Sequence, residues 1–235
     1  MKHTIKALAA GVLLASAGFS AHAIPTLNNI LGGSAPILAS SGAESFMLND
    51  TDGTGDSALA SILIEFADFE SNFGLYEFVV NPDTSISVTD TLQVHAGADE
   101  PGFESTREIN FNLLTGTSWI DDDGTAGFSG GDTQATMDGT FGFYIEVNTG
   151  HTYYSHTSLN SDGYDHLGVF ETSGQGGSTN GYDLVLAWED LHNGGDQDHT
   201  DMVIGINDVK VPEPGTLALL GLGLAGLGFA RRKGS

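Results

Sequence analysis

The chain has 235 residues, 40% of them hydrophobic and only 16% charged, with 31 acidic residues against 7 Lys and Arg and a formal net charge of −24. That apolar content is too high for a disordered polyanion, and nucleic acid is excluded as a partner because phosphates are bound through Lys and Arg that displace counterions. There is no cysteine, so disulfides and thiolate metal sites are excluded as well.

Most of the Lys and Arg lie at the ends: Lys2 and Lys6 at one, Arg231, Arg232 and Lys233 at the other. Between Ile24 and Val211, thirty acids face only Arg107 and Lys210, a formal charge of −28. Carboxylates without cationic side chains repel one another, and small cations, divalent metal above all, are the natural means of neutralising them.

Residues 1–23 open with a basic start, continue through an apolar run from Ala7 to Phe19 and end in Ala21-His22-Ala23. This order predicts a Sec signal peptide cut after Ala23, with Ala21 and Ala23 as the small residues of the cleavage site. The apolar run is shorter than the ~20 residues of a spanning helix, which disfavours a retained anchor. Residues 24–43, small and containing Gly, Ser and Pro, predict a flexible lead-in.

From residue 44 to 210 no apolar repeat of helical period is sustained; short β-branched and aromatic runs alternate with Gly, Asp, Asn and Ser. Strands are predicted at 45–48, 58–66, 73–80, 85–94, 108–113, 140–147, 152–156, 166–171, 183–188 and 202–206. Turn pairs such as Asn81-Pro82, Asp138-Gly139 and Asp162-Gly163 separate them. The spacing predicts one all-β domain over 44–210, an antiparallel β-sandwich of jelly-roll-like kind.

Several motifs within this domain bear on chemistry. Asp50, Asp52 and Asp56 occupy positions one, three and seven of an EF-like loop with Gly55 at six, but Ser61 stands at twelve and no helices flank it. An EF-hand is excluded, leaving a weaker cation site or turn caps. Asp121-Asp122-Asp123-Gly124 reads as a solvated turn. Ser129 lies in a Gly-x-Ser-x-Gly pattern, yet a nucleophile elbow needs a strand before it and a helix after it, and here a Gly-rich acidic loop follows. His95, His151, His156, His166, His192 and His199 show no helical i, i+4 pair, and are expected as surface or strand residues.

The stretch from Asp183 to Ile204 is the most informative. Two apolar runs flank a loop carrying Glu189, Asp190, Asp196, Asp198 and Asp201, with Gly194-Gly195 free to bend. Paired as a hairpin, the runs bring these carboxylates to one edge, where a hard cation with six to eight oxygen ligands, Ca2+, would hold them together. The alternative is a solvated loop whose aspartates cap turns. The order strand, Glu189-Asp190, Gly194-Gly195-Asp196-x-Asp198, Asp201, strand resembles the C-terminal part of the DUF4114 family, with His199 and Thr200 departing from its pattern. Fainter likeness touches Asn72 to Tyr76 and Phe141 to Tyr144. The resemblance implies a fold region and an ion site rather than an activity.

At the far end, Val211-Pro212-Glu213-Pro214-Gly215 leads into an apolar stretch, 216–230, and then Arg231-Arg232-Lys233. A basic cluster after a terminal apolar segment stalls on the cytoplasmic side of the membrane. As a helix the stretch is about 22 Å long, short of the ~30 Å hydrocarbon core, which suits transient inner-membrane anchoring. Residues 211–235 resemble the PEP-CTERM sorting tail of Gram-negative bacteria. That resemblance implies recognition of Pro212, Glu213 and Pro214 by an exosortase, and delivery to the outer surface or an extracellular polysaccharide matrix. An ordinary tail anchor is the alternative.

Targeting and composition together point to a non-enzymatic surface or biofilm-matrix protein stabilised by calcium. A carbohydrate-binding module is the alternative, with Trp119, Tyr153, Tyr154 and Trp188 as stacking faces or, equally, as core. A polysaccharide hydrolase would need two carboxylates at a fixed separation in a cleft.

Overall fold

In a strand, successive side chains point to opposite faces, so runs with alternating apolar residues can bury one face against a partner sheet. The computed structural model of the protein describes residues 27, 43–49, 56–65, 70–99, 106–121, 128–172, 182–197 and 199–212. Thirteen strands are formed there: β1 Phe46–Leu48, β2 Asp56–Glu65, β3 Ser71–Val80, β4 Ile86–His95, β5 Thr106–Asn112, β6 Thr117–Ile120, β7 Thr133–Thr136, β8 Thr140–Val147, β9 Thr152–Tyr154, β10 Leu167–Glu171, β11 Leu184–Trp188, β12 Met202–Ile206 and β13 Val209–Lys210.

They make two antiparallel sheets. One runs β13-β1-β8-β3-β4, with β9 also paired to β8; the other runs β10-β11-β12-β2-β5-β6-β7. A single core lies between them, built from Phe46, Phe73, Phe141 and Phe143 of the first sheet and Ile62, Phe111, Trp188 and Ile204 of the second. The predicted sandwich is the fold that forms. β6, β7 and β13 had no sequence signal: each offers only one or two inward apolar side chains, too few to display a period.

The first sheet is also covered on its outer face. Gly74 stands opposite Tyr144, and Gly142 opposite Tyr76, in the pairing of β3 with β8. A methyl group at either glycine would strike the ring of the facing tyrosine, so each ring lies flat over a bare backbone. This explains the Gly-x-Tyr spacing of both segments. The outer face of β10, β11 and β12 carries a second apolar cluster of Phe170, Val185, Ala187 and Val203. Leu27 packs against that cluster, and Ala43 is only 7% exposed in the main core. Both come from the segment expected to be a flexible lead-in; at these two positions it is held by apolar burial.

Among the described residues no helix is long and apolar enough to cross a membrane. The apolar stretch 216–230, together with Glu213 and Pro214, lies outside the described residues, as do Ala21 and Ala23. Pro212 stands two residues past the end of β13, where Val209 is buried in the core and Val211 packs against it.

Candidate metal centre

β11 and β12 are buried at every position and pair in register from Leu184↔Ile206 to Trp188↔Met202. The chain between them must therefore turn back over the end of the core, and residues 189–201 do so. Asn193, Gly194, Gly195, Gln197 and His199 all adopt positive φ, between 36° and 73°. Gly194 and Gly195 are needed for a second reason. A side chain at Gly194 would run into the Tyr164 ring, and one at Gly195 into the Glu189 carboxylate.

This winding brings Glu189, Asp190 and Asp201 together, each offering an oxygen within 4.8 Å of the others. Glu189 is wholly buried and Asp190 is 4% exposed. Glu189 Oε2 accepts the Gln197 backbone N–H at 3.0 Å, whereas Oε1 is buried with no hydrogen-bond partner in the protein. Asp201 Oδ2 accepts the Asp190 N–H at 2.8 Å. Burial, then the charge of Asp201 beside it, pushes the Glu189 carboxyl up to about 7. A carboxylate with an unsatisfied oxygen in a dry, negative setting is high in energy unless a proton or a cation is shared with it. Three converging carboxylate oxygens are hard donors of the kind that hold a cation such as calcium.

Of the other residues expected here, Asp196 is exposed on the loop and stands outside the group of three, although its charge also raises Glu189. Asp198 lies outside the described residues. In the weaker candidate, Asp50 and Asp52 lie outside them too, while Asp56 is the first residue of β2, with Oδ2 buried and unpartnered.

Asp162 and His166, distant from the loop in sequence, hold it down. Asp162, whose side chain is fully buried, accepts from the Asn193 N–H at 2.7 Å and the Tyr164 N–H at 3.1 Å. Its Oδ2 also lies 3.0 Å from His166 Nε2 and 3.3 Å from His192 Nδ1. Burial opposes the Asp162 charge, but these donors outweigh it and bring the carboxyl down to about 2. His166 sets Nδ1 at 2.7 Å from the Glu189 carbonyl and stacks on Tyr153 at 3.6 Å. Burial and the charges of Asp162, Asp190 and Glu189 push the Tyr153 hydroxyl up to about 12. Only the Asp162-Gly163 turn was a signal for this arrangement. His95 lies on a strand as expected, closing β4, whereas His156 and His166 lie off the strands and are buried; all three have a polar partner.

Ser129 sits in a turn, its Oγ accepting from the Gly131 N–H at 3.1 Å, and the next element is the strand β7. The strand-to-helix setting of a nucleophile elbow is not what surrounds it. Trp188 and Tyr153, candidate stacking faces, are core residues at 0% and 1% exposure.

The fold and the site define an antiparallel sandwich with a carboxylate-lined hairpin loop sealing one end of its core. Residues 128–208, which span β7 to β12, match the family model described as a domain of unknown function, DUF4114. Residues 210–233 match the PEP-CTERM protein-sorting motif, beginning at the last residue of β13. Asn72 to Tyr76 lies outside both matches. The sorting motif marks this as an exported, cell-surface-directed protein of the exosortase-processed kind. No curated protein and no solved structure gives a significant match to the chain.

Proposed function

We propose that the protein is a non-enzymatic structural component of the cell surface or extracellular matrix, whose folded body is locked by Ca2+ held by Glu189, Asp190 and Asp201. In this reading the chain leaves through the Sec pathway, is anchored briefly in the inner membrane by residues 216–230, and is freed at Pro212-Glu213-Pro214. The observation that carries the calcium assignment is the buried, unpartnered Oε1 of Glu189 among two further carboxylates. The charge of −28 across residues 24–211 supports it, because neither Lys nor Arg lies between Asp183 and Ile206 to neutralise those acids. Burial of Glu189 and Asp190 also argues for a structural ion over a catalytic pair, since a polymer substrate has no approach to them.

Calorimetric titration of the chelator-treated protein with calcium chloride tests this directly. One tight site, abolished by Asp201→Asn, is the expected result; absence of heat and of any binding signal would refute it.

A further inference from the structure

Alternation along β5, β6 and β7 turns Ile109, Phe111, Ile120 and Ala135 into the core and leaves the opposite face to solvent. Register then places Ser57, Asn110, Trp119 and Gln134 side by side on four neighbouring strands. Thr117 and Thr136 form the next step of the same face, directly paired. At ~4.8 Å per strand the row is roughly 14 Å long. Phe128, 50% exposed, sets its ring 5.7 Å from that of Trp119. The Trp119 indole N–H is itself buried, without an acceptor in the protein, so Trp119 offers the face its ring group and not a polar hydrogen.

We propose that this face binds a neutral polysaccharide, with Trp119 as the stacking platform. An aromatic pair, Phe128 half-exposed and Trp119 partly buried, flanked by two primary amides and hydroxyls suits a ligand that is apolar on its ring faces and polar around its rim, because each amide both donates and accepts. A protein partner is a poorer fit: apart from the two rings the row offers Ser, Thr, Asn and Gln, without the aliphatic cluster of an interface core. An anionic polymer is disfavoured by the body's net charge of −28 over residues 24–211. The site lies on a different part of the fold from the Glu189 hairpin and does not depend on the metal assignment.

Native affinity electrophoresis of the full chain in mild detergent tests it, through gels containing soluble β-glucan, galactomannan or xylan, with polygalacturonate as the anionic control. Retardation is expected in at least one neutral gel and not in polygalacturonate. Trp119→Ala should weaken it at least tenfold, and Gln134→Ala, at an exposed position, severalfold. Tryptophan emission reports the same event, since Trp188 is sealed in the core and only Trp119 can respond. The proposal is overturned if no neutral polysaccharide retards the protein, or if retardation occurs without a change in tryptophan emission. The second result would place binding elsewhere whether or not Trp119→Ala folds.

Discussion

Replacing Glu189 by Gln should stabilise the metal-free protein and destabilise the calcium-loaded one, a reversal of sign that a merely structural residue would not show. Folded, the Glu189 carboxyl holds its proton up to about 7, against 4.5 for a free glutamate. The native state therefore binds more protons than the unfolded chain between those values, and stability is highest below pH 4.5 and falls as pH rises through 7. Two and a half units amount to at most about 3 kcal/mol, or roughly 6–12 °C in midpoint for a domain of this size. Glu189→Gln removes that penalty, so the variant in chelator at pH 8 should melt several degrees above the wild type, and the two should converge near pH 4.5. Glu77, buried and facing Asp138, is likewise raised to about 7, but it contributes equally to both proteins and cancels in the comparison. Added calcium at a thousand times its dissociation constant should raise the wild type by about 4.1 kcal/mol, more than the variant gains by losing its charge, and leave the variant unmoved. Scanning calorimetry with chelator and with calcium reads all four states. A variant less stable than wild type in chelator at pH 8, with its calcium response intact, would refute the reasoning.

Asp162→Asn should loosen the loop. The folded carboxyl lies at about 2 against a free value of 3.8, so its contribution, about 2 kcal/mol, is present above pH 3.8 and lost as pH falls through 2; urea unfolding at pH 7 should show the loss and at pH 2 should not. Gly195→Ala combines positive φ with a collision against Glu189, and should cost at least about 2 kcal/mol and weaken calcium binding, measured by denaturant midpoint and titration. Trp188→Ala, at a site with no exposure, should cost about 3–5 kcal/mol by the same midpoint assay, far more than Trp119→Ala. Changing Pro212, Glu213 and Pro214 together to Ala should leave the C-terminal tail attached when the cell-surface form is weighed by mass spectrometry.

Much of this architecture follows from local pattern. A run such as residues 183–188, apolar at almost every position and closed by an acidic turn, can be little else than a buried strand, and Gly-Gly between two carboxylate groups announces a tight loop. The sorting motif and the acidic excess are properties of composition and order, and need no folding to be recognised. Those features settled the class of fold, the export of the chain and the five carboxylates worth watching.

The third dimension decided which of the five converge. Asp196 and Asp201 look equivalent in the sequence, but the positive-φ residues at 193–199 wind the loop so that Asp201 meets Glu189 and Asp190 while Asp196 faces solvent. The hold of Asp162 on Asn193 joins residues 31 apart, and the row from Ser57 to Gln134 arises only when β2, β5, β6 and β7 fall into register. Periodicity tells which way a side chain turns within its own strand. Its neighbours on other strands are set by pairing across the sheet, where the free energy of burying a shared core, and no local preference, selects the partner.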